Sequence, residues 1–445
     1  MILKKLTRVP ERVILFSVFI TILIGTLLLA LPIAQTTPIS LIDLFFTATS
    51  ATCVTGLLTI PLDNFTHFGK CIILILIQIG GIGLITLTLF IVSLFVNMGL
   101  ATQLIAGKIL EFDSWQNIKK FIIFLILFTL GIELLGALCI FPILLKEYSI
   151  YDAFFLSAFH AISSFCNAGF SLFYGNMQQF SSNYAMLGIT AFLVFCGSFG
   201  FIAWHELYRY FTERREKKRF VFSLLSKIIM YGSFFIIMIF ACVFFILEHN
   251  NALGQLTNLQ AAANSLFHAI VLRGVGFLAI PVDYLQSATL FFIMIMAFIG
   301  SAPGSTGSGI KLTTLAIFLA TLKTAVSGRS SVEIQGRTIA KDQIYKAVAI
   351  VAVSIGWICM TTFFLLITEP DGDFMDLFIE SISGFTNLGL STGITPLLSW
   401  VGKIFIMLSM IAGRIGTLTF ILALRARAKS ERSGFSYPEE RVMLS

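Results

Sequence analysis

The 445-residue sequence contains little charge, since Asp, Glu, Lys and Arg make up only 12% of its residues. An ordinary soluble domain carries roughly 25%. Hydrophobic residues account for 57% of the chain, and Phe alone occurs 46 times. This shortage of charge argues against a soluble enzyme or binding domain and predicts a protein that crosses a membrane several times.

Cysteines are few, and they form no recognisable motif. The seven cysteines are an odd number, lie mostly inside apolar runs, and include no pair at metal-ligand spacing. We therefore interpret them as small core residues and not as a disulfide framework. The sequence also shows no set of nucleophile, base and metal ligands, which disfavours an intramembrane enzyme, and it contains no nucleotide-binding domain.

The net charge of +7 would suggest a nucleic-acid partner for a soluble protein. Here most Lys and Arg residues fall at the two termini and in three segments that join long apolar runs, of which 209–227 is the densest. Because positive charge marks cytoplasmic loops, we expect a multi-pass cell-membrane protein with both termini and all joints in the cytoplasm, and no bound nucleic acid. The basic joints suit contact with membrane lipids or with a cytosolic partner.

Four glycine-centred stretches recur at nearly constant spacing. Gly56, Gly169, Gly276 and Gly389 are separated by 113, 107 and 113 residues. Around each glycine the order is the same: a crossing helix, a half-length helix, the glycine stretch and a second crossing helix. Such periodicity indicates an internal repeat. It predicts an all-α membrane protein with four pseudo-symmetric repeats of crossing helix, re-entrant pore helix, filter loop and crossing helix around one central pore. The expected repeats, together one membrane domain, are 1–98, 99–210, 211–328 and 329–445.

The half-length helices begin at a polar cap followed three residues later by an acid, as in a capping box. These pairs are Ser40–Asp43, Ser149–Asp152 and Asp373–Asp376, and the third short helix is expected over 258–270. About a dozen residues span half a membrane, so these helices should enter it without crossing. Eight full crossings are expected at about 13–33, 68–97, 121–145, 185–207, 228–247, from 290, 347–367 and 401–424.

Non-helical backbone at membrane depth is tolerated only where protein buries it or water reaches it. Rings of carbonyl oxygens can replace the hydration shell of a monovalent cation, and the negative ends of four short helices would favour a cation at the centre. The alternative is that the glycines only let helices pack closely. The expected filter residues are Cys53, Val54, Thr55, Gly56, Cys166, Asn167, Ala168, Gly169, Gly274, Val275, Gly276, Thr386, Asn387, Leu388 and Gly389. In the third stretch Gly274 competes with Gly276 for the central place.

A run rich in Gly, Ser and Pro, residues 300–311, interrupts the last crossing of the third repeat and cannot continue a helix without a break. A phosphate-binding loop is disfavoured because Ile310 intervenes before Lys311 and an apolar helix precedes the run. A serine-protease site is disfavoured because no His or Asp is placed to serve Ser305 or Ser308. The remaining hypotheses are an intramembrane loop below the filter or a simple helix kink.

The segments Ala51–Leu57, Phe159–Phe170, Arg273–Phe277 and Gly300–Lys311 together resemble the Trk/Ktr/HKT superfamily of potassium transporters, and most closely its bacterial KtrB/KtrD membrane subunits. The resemblance covers nearly the whole chain. It implies potassium preference, since sodium-preferring plant relatives can carry Ser where this chain has Gly56. It also implies a homodimer with one pore per protomer, regulated by a cytosolic ring of RCK-type nucleotide-binding subunits (KtrA/KtrC-like). The resemblance identifies the interrupted run as the gate: Gly300, Ser301, Ala302, Pro303, Gly304, Ser305, Thr306, Gly307, Ser308, Gly309 and Lys311.

Arg414 lies within the last crossing, where a charged side chain is usually functional. It is assigned to the gate, either as a tether of the loop through backbone carbonyls or as an electrostatic barrier. The alternative is a structural partner of Glu380 or Glu133.

The favoured function is potassium uptake through a channel-like pore driven by the membrane potential, about 2.3 kcal/mol per charge per 100 mV. The alternative is a transporter coupled to sodium or protons, with Glu133 or Asp43 as the coupling acid. Potassium is the expected ion at the filter, sodium is the second candidate, and no nucleotide is expected on this chain.

Overall fold

The computed structural model describes residues 10–83, 115–215 and 220–424. Over these ranges the chain is almost wholly helical, and the only strands are the two that form a short hairpin. The helices are α1 Pro10–Leu29, α2 Leu41–Cys53, α3 His67–Ile82, α4 Trp115–Leu144, α5 Ile150–Phe165, α6 Tyr184–Ser198, α7 Phe201–Arg215, α8 Leu224–Glu248, α9 Asn258–Val271, α10 Ser287–Phe298, α11 Leu312–Val326, α12 Lys341–Thr368, α13 Phe374–Thr386, α14 Trp400–Ile415 and α15 Thr417–Leu424. The strands are β1 Glu333–Ile334 and β2 Arg337–Thr338.

The short helices α2, α5, α9 and α13 begin where a side chain replaces the missing backbone acceptor. The caps of three confirm the predicted starts: Ser40, Ser149 and Asp373 each accept a hydrogen bond from a backbone amide of the first turn. The start of α9 was not predicted from a cap. Thr257 and Gln260 form a full capping box there. The polar pair Thr-x-x-Gln was the available signal.

The expected second crossings do not run straight, and this corrects the prediction of continuous helices at 185–207 and 401–424. α6 and α7 are bent by 95° around Gly200, and α14 ends before Gly416. α3 ends before Gly83, while the rest of the expected 68–97 crossing, from residue 84, lies outside the described residues. All three glycines have positive φ, near 90°, which interrupts a right-handed helix. In the third unit residues 299–311 separate α10 from α11, so a break recurs in all four units.

Three described helical segments are long and apolar enough to cross a membrane: Phe121–Leu144, Leu224–Glu248 and Lys341–Thr368. The bent pair α6 and α7 would make a fourth span, and the other apolar helices among the described residues are shorter. Eight continuous spans are therefore not found in this part of the chain. Large apolar side chains such as Leu27, Leu127 and Phe234 stand exposed on the helices, as expected of a protein that faces lipid.

The buried core includes clusters that join helices far apart in the sequence. One cluster joins α2 and α3 to α4 and α14, a second joins α8, α10 and α13, and a third joins α4, α6 and α9. The last residues of all four short helices are buried. The packing therefore brings the carboxyl ends of these helices to the centre of the molecule, beside the glycine stretches that follow them.

Candidate functional site

The four central glycines form a closed ring in sequence order. A Cβ atom on Gly56 would lie 2.5 Å from the carbonyl oxygen of Ala168, and one on Gly276 would lie 2.5 Å from the carbonyl carbon of Gly389. A Cβ on Gly169 would approach the amide nitrogen of Gly276 at 3.5 Å, and one on Gly389 would collide with the carbonyl of Thr55. No side chain fits at Gly56, Gly276 or Gly389, and at Gly169 a Cβ would be in van der Waals contact with the first and third stretches. The backbones of the four stretches therefore lie directly against one another.

Three of the stretches share one backbone conformation. Val54, Asn167 and Asn387 have positive φ, and the next residue in each stretch donates its amide to the carbonyl five positions earlier. This arrangement ends a helix and satisfies its free carbonyls. The third stretch differs, because Val275 donates to Val271 four positions earlier and neither Gly274 nor Gly276 has positive φ. A glycine is therefore needed at position 276 because a side chain would collide with the fourth stretch, and not because the backbone conformation there demands glycine.

The competition between Gly274 and Gly276 is decided by their positions. Gly276 lies in the ring, whereas Gly274 lies two residues before it, in the position that Asn167 has in the second stretch. A Cβ on Gly274 would lie 3.6 Å from the side-chain nitrogen Nδ2 of Asn167. The carbonyl of Gly276 accepts a hydrogen bond from Asn176 Nδ2 at 3.3 Å. The third stretch is thus held by a side chain of the second unit.

Side chains also join the first stretch to the fourth. Thr55 Oγ1 donates to Asn387 Oδ1 at 2.7 Å, and Asn387 Nδ2 donates to the carbonyl of Met410 at 3.3 Å. The amide of Gly56 donates to Ser50 Oγ at 3.1 Å. The ring is therefore braced from behind by buried hydrogen bonds, whose loss would leave polar groups without partners.

Behind the second stretch, a carboxylate packs inside the helix bundle. Glu133 on α4 is buried and accepts a hydrogen bond from Gln78 Nε2 at 3.0 Å. The thiol of Cys166 lies 3.6 Å from Glu133 Oε1 and 3.7 Å from Gln78 Oε1. Cys166 is a predicted site residue, but its side chain faces α3 and α4.

The interrupted run 299–311 folds back on itself beside the ring. The amide of Ser301 donates to the carbonyl of Ser308 at 3.4 Å, and the amide of Ile310 donates to Phe298 at 3.3 Å. Lys311 Nζ donates to the carbonyl of Gly307 at 2.6 Å. A Cβ on Gly307 would lie 3.1 Å from Asn167 Nδ2, so the loop lies against the second glycine stretch. A simple helix kink does not describe this segment.

Arg414 reaches from the end of α14 to this loop. Its Nη1 donates to the carbonyl of Thr306 and, at 3.3 Å, to Ser308 Oγ, while its Nη2 donates to the carbonyl of Gly80. The tether expected from the sequence is therefore present. The alternative pairing is wrong: Glu133 bonds Gln78, and Glu380 accepts from Thr395 Oγ1. The planar guanidinium of Arg carries five N–H donors, so one side chain can bond several carbonyls at once.

A cavity of about 730 Å³ adjoins the loop. Its wall includes the helix break at Gly83, the start of α8 at Leu224 and the two cationic side chains Lys311 and Arg414. Pro303 and Gly304 of the loop also line it. The loop therefore touches the second glycine stretch and also lines this cavity.

Comparison with known proteins gives consistent matches. A model of the TrkH family, described as cation transport protein, matches residues 8–434. The chain is 36% identical to Ktr system potassium uptake protein B of Bacillus subtilis, over 97% of this chain and 96% of that protein. It is 31% identical to the potassium/sodium uptake protein NtpJ of Enterococcus hirae, over 98% and 97% of the two chains. The crystal structure of the potassium transporter TrkH from Vibrio parahaemolyticus has the same fold, with a TM-score of 0.73 at 20% identity over 93% of this chain and 84% of that chain.

Proposed function

The chain belongs to the TrkH family of cation transport proteins, and we propose that it takes up potassium across the cell membrane through a channel-like pore. The closed ring of Gly56, Gly169, Gly276 and Gly389 carries this proposal, because the four backbones lie against one another and three of these glycines leave no room for a side chain. Potassium is supported by the names of the relatives, which include a potassium uptake protein of Bacillus subtilis and a potassium/sodium uptake protein of Enterococcus hirae.

In this account the four units, 1–98, 99–210, 211–328 and 329–445, are repeats around one pore. The backbone carbonyls of the glycine stretches form the selectivity filter and replace water around the ion. The carboxyl ends of α2, α5, α9 and α13 point to the same centre, and each contributes about half a negative charge to hold a cation. Buried hydrogen bonds such as that from Thr55 to Asn387 keep the ring at its working size.

The loop 300–311 acts as the gate. It touches the second glycine stretch and lines the cavity, and Arg414 holds it to the first unit through Thr306 and Gly80. The guanidinium of Arg414 beside the path also repels a cation while the loop stays in place. Movement of the loop away from Arg414 would open the path from the ring to the cavity.

Positive charge in the joints supports cytoplasmic termini, with the short helices entering from outside. Three relatives are named as proteins of a Ktr system, which supports a partner that regulates this chain. We assign that role to a cytosolic RCK-type nucleotide-binding ring acting on a homodimer. Sodium is a second candidate ion because the relative from Enterococcus hirae is named a potassium/sodium uptake protein.

Coupled transport is the second candidate mechanism. Its two candidate acids are both engaged within the described residues, since Asp43 pairs with Lys403 at 2.8 Å and Glu133 bonds Gln78 at 3.0 Å. Passive permeation driven by the membrane potential needs neither acid.

The test is growth of a bacterium deficient in potassium uptake at limiting potassium, with the chain expressed alone and with a ring-forming regulator, at several sodium concentrations. Rescue in either case supports potassium uptake, and its sodium dependence separates permeation from coupling. Failure with the regulator present, in cells where the protein reaches the membrane, contradicts the proposal. As a control, the same strain expressing the regulator without this chain must not grow at limiting potassium.

A further inference from the structure

The loop 300–311 has a second attachment, to the break between α6 and α7. The amide of Ala302 donates to the carbonyl of Ser198 at 3.1 Å, and the amide of Thr306 donates to Gly197 at 3.1 Å. In return the amide of Phe201 donates to the carbonyl of Gly304 at 2.7 Å. These bonds join backbone to backbone, and they lie in a different unit from the Arg414 tether.

The geometry of the break depends on Gly200. Its φ is +95°, and a Cβ there would lie 2.8 Å from the carbonyl oxygen of Pro303 and 3.1 Å from the Cβ of Ala302. A side chain would therefore strain the backbone and push the loop away. The carbonyl of Gly200 accepts the first helical hydrogen bond of α7, from Trp204, so Phe201 is the first residue of that helix.

Helix α7 extends from this contact and is anchored near its start. Trp204 Nε1 donates to the carbonyl of Cys196 at 2.9 Å, which closes the bend. Glu206 accepts a hydrogen bond from the amide of Ser223, the cap of α8, at 3.1 Å. Further along, Arg209 and Arg214 stand on the polar part of α7. At 1.5 Å per residue its 15 residues reach about 22 Å from the loop.

We propose that the break at Gly197–Phe201 is a second latch on the gate loop. In this proposal α7 transmits to the loop any displacement of its distant end, where Arg209 and Arg214 lie. The first amide of a helix has no partner in its own helix. In this chain that free amide is used to hold the carbonyl of Gly304. Tilting α7 moves the amide of Phe201 and the carbonyl of Ser198 together, and so loosens one side of the loop while Arg414 still holds the other.

The inference rests on the proposed function, since it assigns a latch to a gate for potassium. Its test uses two substitutions at Phe201. Phe201→Pro removes the amide that donates to Gly304, and proline is well tolerated at the first position of a helix. Phe201→Ala removes the same ring but keeps the amide, so it is the matched control.

Potassium flux is measured with the full chain in proteoliposomes, without any partner. We expect Phe201→Pro to raise basal flux about threefold to tenfold over Phe201→Ala, the range for loss of one hydrogen bond. The preference for potassium over sodium should not change, because the ring is untouched. A purely structural role would lower flux or yield for both variants alike.

A second pair covers the case in which proline disturbs folding. Gly200→Ala should raise basal flux, whereas Gly188→Ala on the neighbouring α6 should not, since a Cβ at 188 meets no atom within 4 Å. Equal basal flux in Phe201→Pro and Phe201→Ala, together with unchanged flux in Gly200→Ala, overturns the latch. If the unmodified chain carries no potassium flux at all, the proposed function fails and not the latch alone.

Discussion

Asn167 and Asn387 occupy equivalent positions, each two residues before a ring glycine and each with positive φ. Asn387 uses both ends of its amide, accepting from Thr55 and donating to Met410. Asn167 is just as buried, yet neither its Oδ1 nor its Nδ2 has a hydrogen-bond partner within the described residues. The same residue type therefore braces the ring in the fourth unit and lies against the loop in the second.

This difference predicts unequal effects of one substitution. Asn387→Gly keeps the backbone conformation but removes the brace, so we expect weaker discrimination between potassium and sodium and a stability loss of about 1 kcal/mol, the scale of one buried hydrogen bond. Asn167→Gly removes no hydrogen bond and should change neither property. Thermal unfolding and paired ion fluxes measure both, and equal losses in the two variants would refute the assignment.

Gly56 is the ring position where a side chain has the clearest consequence. Gly56→Ser places a Cβ against Ala168 at a φ of +93°, where backbone strain of about 1–3 kcal/mol is expected. We expect potassium over sodium discrimination to fall by roughly tenfold, since 1.4 kcal/mol is a factor of ten. Gly131→Ser on α4, where a Cβ meets no atom within 4 Å, is the control. Unchanged selectivity in Gly56→Ser would count against the filter.

At the scale of helices, α3, α6 and α14 each touch the end of a short helix through a glycine. A Cβ on Gly80, Gly197 or Gly413 would collide with the carbonyl of Thr52, Phe165 or Phe385 respectively, the last or next-to-last residues of α2, α5 and α13. In the third unit Gly300 instead faces the carbonyl of Ser308 within the loop. These glycines therefore serve helix packing in three units and loop closure in one.

Gly413→Ala should destabilise the protein by about 1–3 kcal/mol, the usual effect of overpacking a well-filled contact. The control is Gly356→Ala on the exposed face of α12, where alanine gains helix propensity and meets no neighbour within 4 Å. The midpoint of thermal unfolding in detergent measures both. A loss in Gly356→Ala as large as that in Gly413→Ala would remove the packing explanation.

The sequence predicted the short helices well because their caps are local, as Ser40 and Ser149 demonstrate. It did not predict the breaks at Gly200 and Gly416. A single glycine in an apolar run is tolerated by a membrane helix, and only tertiary contacts decide whether the helix stops there. At Gly200 the deciding contact is the loop carbonyl of Pro303, which comes from another unit. The three-way tether by Arg414 was one of several open hypotheses for the same reason.

At the scale of the whole molecule, the ring of units closes between the fourth and the first. Lys403 on α14 pairs with Asp43 on α2 at 2.8 Å, with both side chains mostly buried. Partial burial of Asp43 opposes ionisation, but hydrogen bonds from Lys403 and Ser40 bring its pKa below the ordinary value. The fourth residue of α3, Lys70, is the counterpart of Lys403 and pairs with Asp63, whose side chain is exposed.

A carboxyl with a lowered pKa in the folded state adds stability above its unfolded pKa, and this contribution disappears as pH falls through the folded pKa. We therefore expect Lys403→Met to lower stability at neutral pH, with a difference from the parent that shrinks below about pH 4. Lys70→Met should have little effect, because exposed pairs contribute little. Unfolding midpoints across pH test this, and a difference that persists unchanged in acid would exclude the ion pair as its cause.

The most direct test of the central claim is the reversal potential of the current carried by the purified chain in a lipid bilayer. The potassium gradient is fixed while sodium and pH gradients are varied. If the glycine ring is a potassium filter in a channel-like pore, the current reverses at the potassium equilibrium potential under every condition. A reversal potential that follows the sodium or proton gradient would contradict the account and identify a coupled transporter.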